Sequence, residues 1–307
     1  MLGFLGKRIV QLIVVLWGIS TLLFFLIRLS GDPARLIAGP DAPPAQVDQI
    51  RVNLGLEGNL IEQYVRFLGK TVQLDFGTSF RYQVSAMAEV VDKLPATLLL
   101  AVSAIVLSLL VAIPAGVFAA VKRGKPAGTA TTTMTLIGQS IPDFVVGILL
   151  ILIFAVQFSI LPSFGLTDWK SLILPTITLS FFITARQTRL VRSLMLEELS
   201  KDYVRSAIAN GIPVWRLRSY LVLRNALVPV LGLLAIDLAG LFGGAVVVES
   251  IFAWPGMGRL LLDSVTGRDY PVLQAAVFLI AVIVVIINLS IEAAHRAIDP
   301  TLRRPAA

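Results

Sequence analysis

The chain has 307 residues, 56% of them hydrophobic and only 15% charged, with a formal net charge of +7. Globular chains carry about 25% charge, so a water-soluble domain is excluded, and the absence of cysteine removes disulfides and thiolate metal centres. A single histidine, His295 just past the last apolar run, reads as a group at the membrane interface and leaves no histidine-based metal site.

Taken in chain order, the first apolar run is Ile9–Leu29. Lys7 and Arg8 ahead of it resemble the start of a signal peptide. The run is longer than a usual signal core and no small-residue cleavage site follows, so it is expected to stay as a first span. Five further spans of about 20 residues are expected at Leu94–Val121, Thr132–Phe158, Leu172–Ala185, Ala226–Val248 and Leu273–Ala293. The fourth fades into arginines and is expected to continue as a helix beyond the membrane. Pro95 is expected in a first helical turn, while Pro114, Pro142 and Pro229 fall within or at the edge of spans, where proline kinks helices.

Between the first two spans, residues 30–93 carry helix punctuation. Pro43-Pro44 reads as a helix start, Gly55 as its end, and Leu60–Leu74 as a second helix with Ile61, Tyr64, Val65 and Leu68 on one face. This predicts a small ordered helical lobe. Near the end, Trp254-Pro255-Gly256 reads as a turn, with Trp254 and Tyr270 at the level where aromatic belts sit.

Cations sort by side. With the N-terminus inside, the inner segments hold sixteen of the 26 cations against five acids, a net of +11, while the outer segments net −2. That asymmetry predicts both termini on the cytoplasmic face and speaks against a nucleic-acid surface.

The longest inner loop holds "DYVRSAIANGIPVWRLRSYLVLRNALVP", Asp202 to Pro229. Val204, Ala207, Ile208 and Gly211 recur at helical spacing. Asn210 or Gly211 suits a left-handed helix end, and Pro213 suits the start of a second helix. The loop therefore reads as helix, tight turn, helix. Anionic lipid would account for its arginines and Trp215. A groove on another protein would also account for the shallow small-residue face and the glycine.

The stretch resembles the EAA loop of ABC-importer permeases. Arg205-Ser206-Ala207 stand where Glu-Ala-Ala is usual, Gly211 is the motif glycine, and the closing Leu-Pro is displaced to Val228-Pro229. That variant is similar to the dipeptide, oligopeptide and nickel branch. "GDPARLIAGPDA", "LDFGTSFR", "LPATLLLA", "SIPDFVVGILL" and "GGAVVVESIFAWPGMGRLLLDSV" with "RDYPVLQ" resemble it as well. The resemblance implies a six-helix, all-α membrane protein of the type I importer (MetI-like) fold, N-in and C-in, in the bacterial inner membrane. It would divide into a first helix over 1–29, a periplasmic lobe over 30–93, a five-helix core over 94–295 with a coupling loop at 196–225, and a tail over 296–307. The implied partners are a second permease, two ATPase subunits that would hold ATP and magnesium, a solute-binding protein and membrane lipid. Tyr203, Val204, Arg205, Ala207, Ile208, Gly211 and Trp215 would form the ATPase-coupling helix.

Two ionisable residues lie within spans, where they point by default to a polar pathway. Asp143 follows Pro142 and could instead cap a broken helix. Asp237 could face a cavity or pair with an arginine of another span. Gly240 and Gly244 form a GxxxG row suited to a close seam with the second permease or to packing within the chain. No phosphate-binding loop G-x-x-x-x-G-K-[ST] occurs, so the chain cannot hydrolyse ATP itself, and no cofactor is expected on it. No G-x-S-x-G elbow or span-embedded Ser–His couple supports an intramembrane hydrolase. The competing function is a proton-coupled secondary transporter using Asp143 and Asp237, which leaves the Asp202–Pro229 loop unexplained.

Overall fold

The structure, a computed structural model, describes residues 2–29, 33–38, 42–53 and 58–298. Gly55 and most of the tail over 296–307 lie outside the described residues. Apart from one bridge, Thr78 to Ser85, the described residues are helices and connecting turns. In chain order the helices are α1 Leu2–Leu29, α2 Pro33–Ala38, α3 Pro44–Asn53, α4 Leu60–Val72, α5 Ala86–Val121, α6 Pro126–Ser140, α7 Asp143–Leu150, α8 Ile173–Leu199, α9 Asp202–Ala209, α10 Val214–Arg216, α11 Leu223–Ile251, α12 Met257–Thr266 and α13 Tyr270–Ile298. Wider π turns extend α7 over Ile151–Gln157 and join α10 to α11 over Leu217–Val222.

Among the described residues, four stretches are long and apolar enough to cross a membrane: Val10–Leu29, Ala86–Val121, Val214–Leu234 and Tyr270–Ser290. The expected third span, Thr132–Phe158, is not one helix. It is the pair Pro126–Ser140 and Asp143–Gln157, bent by 98°. Pro142 causes the break. It has no N–H to donate, and it forces the residue before it out of helical geometry; Ile141 is extended, at φ −92° and ψ 122°. The second long helix starts at Ala86, not Leu94, so Pro95 sits well inside α5 rather than in its first turn. Pro229 likewise lies inside α11. The fourth element continues through its arginines to Leu199, as its fading edge suggested.

The chain forms two compact units. The first runs to Ala96 and takes in Pro255–Ile286. Here α4 begins with a capping box: Glu62 N–H donates to Asn59 Oδ1 at 2.8 Å and Asn59 N–H to Glu62 Oε2 at 3.2 Å. It packs on α1 through Tyr64, whose hydroxyl meets Thr21 Oγ1 at 2.7 Å, and through Phe67 beside fully buried Phe24. Ile61 and Val65, expected on that face, are instead exposed. A second core joins Phe76, Ala86 and Val90 to Met257, Val272 and Phe278. The buried Asp269 carboxylate fixes the preceding loop, accepting from Ser79 Oγ at 2.5 Å and from Arg81 N–H at 3.3 Å. This contact brings together two of the motif stretches, "LDFGTSFR" and "RDYPVLQ".

The second unit holds Thr97–Trp254 and the chain from Ile287 on. Its centre is α8, which packs against α6, α7 and α11. Close approach relies on small residues. A Cβ at Gly116 would come within 2.8 Å of the Thr188 carbonyl, and one at Gly147 within 3.2 Å of Thr178 Cγ2. Trp254, expected at a membrane interface, is fully buried, with its N–H on the Glu249 carbonyl at 2.8 Å. Buried Glu249 in turn accepts from Thr97 Oγ1 at 2.6 Å.

A charged cavity and a helical corner on one helix

Two features lie along α8. The first is built on Asp237 of α11, 4% exposed. The sequence left it between a cavity and an arginine partner, and the structure gives it both. Arg186 Nη2 pairs with its Oδ1, and Gln187 Nε2 donates to its Oδ2. Both donors come from adjacent positions on α8, so one carboxylate is gripped at both oxygens. A cavity of about 130 Å³ opens beside the pair, lined by Asp143, Arg186, Ile236, Asp237, Gly240 and Gly244 among others.

Asp143 is the first residue of α7, but it makes no capping bond; Pro142 holds the cap position. Its Oδ1 is buried and accepts no hydrogen bond. The capping alternative is therefore replaced by a cavity position. The bend at Pro142 is what brings the α7 start to α8 and α11. Nothing in the spacing of Asp143, Arg186 and Asp237 signals that meeting.

The GxxxG row divides. A Cβ on Gly244 would touch Leu179 at 3.5 Å, so this glycine packs on α8, whereas Gly240 and Gly243 face open space. With exposed Ile236 and Val247 they leave a shallow apolar strip along α11.

The second feature is the corner after α8. Helix α9 ends in a paired turn in which Ile212 N–H donates to the Ala207 carbonyl at 3.1 Å and Gly211 N–H to the Ile208 carbonyl at 3.0 Å. Gly211 is the left-handed residue of this Schellman motif, at φ +77°, while Asn210 stays at φ −81°. Pro213 then caps α10.

The expected small-residue face is split as well. Val204 and Ala207 are buried among Val191, Met195, Leu217 and Val222 of the chain's own helices. They are the inside of the corner, not a surface. Exposed instead are Arg205, Ile208, Gly211 and Trp215. Arg216 lies over the Trp215 ring at 5.4 Å. Tyr203 is half-buried and donates to Glu198 Oε2 at 2.8 Å, while Lys201 closes on Glu198 Oε1. Burial works to raise the Glu198 carboxyl, but the hydrogen bonds from Lys201 and Tyr203 outweigh it and hold the group below its ordinary value of 4.5. Burial, with Glu198 alongside, pushes the Tyr203 hydroxyl up.

Long apolar helices around a charged cavity, with a rigid helical corner at the end of one of them, define a polytopic helical membrane protein. Residues 112–304 match the family described as binding-protein-dependent transport system inner membrane component, and residues 1–101 match its N-terminal counterpart. The chain is 38% identical over 305 residues to the glutathione transport system permease protein GsiC of Escherichia coli strain K12, covering 99% of each. It is 37% identical over the same length to GsiC of Shigella flexneri serotype 5b. Among solved structures, the inward-facing MetNI methionine ABC transporter shares its fold, with a TM-score of 0.59 at 21% identity, over 69% of this chain and 97% of that one. A second crystal form of the same transporter gives the same TM-score at 20% identity. The chain belongs to the binding-protein-dependent transport system inner membrane component family and is a permease subunit of an ABC importer, resident in the inner membrane. Permeases of this family operate with ATPase subunits and a substrate-binding protein, and the proton-coupled alternative finds no support.

Proposed function

We propose that this permease forms half of a translocation channel for peptides or a related small solute, side by side with a second, homologous permease. Six spans, both termini inside, and the division at residues 29, 93 and 295 belong to the same reading, in which the apolar runs of the sequence give the spans and its charge asymmetry the orientation. The open glycine strip of α11, at Gly240 and Gly243, is the seam offered to the second permease, where close helix packing in lipid favours small residues. Two ATPase subunits dock on the cytoplasmic corner, and a solute-binding protein docks outside. Peptide cargo is favoured by the 38% identity to a permease named for glutathione, itself a modified tripeptide.

The observation that carries the coupling role is the continuity of α8 from the charged cavity to the corner. A load on α9 reaches α8 through the apolar wedge of Val204 and Ala207 against Val191 and Met195, and closely packed elements move as rigid bodies. Exposed Ile208 and Trp215, with Arg205 beside them, are the surface an ATPase groove would grip.

Gly211→Asp tests this. No atom lies within 4 Å of a Cβ there, so the substitution strains only the left-handed turn, by about 1–2 kcal/mol, and adds charge to the docking surface. The ATPase subunit should co-purify with the wild-type chain and be lost from the variant, with helical content in detergent unchanged. An ATPase that stays bound to the variant, or never accompanies the wild type, overturns the reading.

A further inference from the structure

The geometry points to the cavity between α7, α8 and α11 as a subsite for a primary ammonium group, the free amino end of a peptide-like cargo. This deepens the importer reading and rests on it. The charges do not balance. Two carboxylates, Asp143 and Asp237, face the cavity against one guanidinium, Arg186. Arg186 and Gln187 are both committed to Asp237. Asp143 is left with a buried Oδ1 that accepts no hydrogen bond. An unpaired carboxylate among apolar helices is costly and by default marks a ligand path.

The same arrangement rejects an anion. Arg186 is already neutralised, and Asp143 would repel a carboxylate entering beside it. Asp143 lies in the first turn of α7, where a helix favours negative charge, and α7 continues through Gln157 behind it.

Size admits the ligand. A water needs about 10–15 Å³ of such space, so a cavity of about 130 Å³ has room for an ammonium, its first carbons and accompanying water. Because its unpaired carboxylate recognises only the ammonium, the cavity is a checkpoint for one end of the cargo, separate from any selection outside the membrane.

The test uses the full chain in phosphatidylcholine nanodiscs and saturation-transfer NMR with ethylammonium, ethanol and acetate as probes. Ethylammonium should bind the wild type. Asp143→Asn should weaken that binding by about tenfold or more, as expected when one member of a charge pair is lost, and Asp143→Glu should retain it. Ethanol and acetate should show no dependence on residue 143. Equal ethylammonium signals from the wild type and Asp143→Asn overturn the proposal, and so does acetate binding as strong as ethylammonium binding. Co-purification of an ATPase reads the importer assignment separately: an Asp143-dependent ammonium response without an ATPase sinks that assignment and leaves the cation site standing.

Discussion

Around Arg186 and Gln187, α8 meets its neighbours through charge; around Val191 and Met195, further along, it meets them through shape. At the first place a single carboxylate holds two donors beside a cavity. At the second, Val191, Met195, Val204, Leu217 and Val222 are buried without a charged group among them. The two contacts respond differently to a load. Charged groups can exchange partners with a ligand or with water while the helices stay in place. A close-packed apolar wedge has no such freedom and moves as one piece. On one helix, the chain thus carries a part that can respond to cargo and a part that can transmit force.

The largest expected effect tests the charged end. Asp237→Ala leaves Arg186 and Gln187 facing an empty place, and removing one partner of a buried pair costs about 3–5 kcal/mol. The lower end applies, because the Arg186 side chain is 35% exposed and can turn to water. Thermal unfolding in detergent should show the loss, and Arg186→Met combined with Asp237→Leu should recover most of it. If Asp237→Ala is no worse than a surface substitution, charge does not hold this end of α8 and the contrast fails.

The shape-held end should respond to volume alone. Ala207→Leu forces extra methylenes into the wedge, and overpacking of this kind costs about 1–3 kcal/mol. The damage should be local, seen as faster hydrogen exchange over Asp202–Ala209 and reduced ATPase retention. Ile208→Ala, one residue along but 53% exposed, should leave exchange in the same helix within about 0.5 kcal/mol of wild type. Equal effects from the two substitutions would mean that α9 is not wedged by its inner face.

Legibility in the sequence followed the range of the interactions. The apolar runs near Ile9–Leu29 and Leu273–Ala293 were readable because a span is declared by its own residues, and the helix–turn–helix at Gly211 because turn chemistry is local. Apolar composition carries no direction, however, so the 98° bend at Pro142 was hidden inside what looked like one span. The start of α5 was placed late because "AMAEVVDK" carries three charged residues in eight. Its Ala86 and Val90 are buried by Met257 and Val272, which lie far off in sequence. Val204, Ala207 and Ile208 do share one helix, but Gly211 lies past its end in the left-handed turn, and period alone does not say which residues face the chain itself. Asp237 was recognisable as a group that needed a partner. That Arg186, counted among the inner cations, is that partner depends on how α8 lies against α11.

The smallest effect concerns the polar clasp that closes the corner. Glu198 sits below its ordinary 4.5, so its contribution is present above that value and fades as pH falls through the lower folded value. Lys201 sits above its ordinary 10.5, chiefly through its hydrogen bond to Glu198, so its contribution is present below 10.5 and fades as pH rises beyond it. Tyr203 is raised above 10.0, chiefly by burial, so the unfolded chain ionises first and the corner weakens in the same alkaline range. Corrected for intrinsic rates, hydrogen exchange over Asp202–Ala209 should therefore be flat from about pH 5 to about pH 10 and rise outside those limits. A corner that loosens near neutral pH would mean that the wedge alone does not hold it, and would remove the distinction between the two ends of the helix.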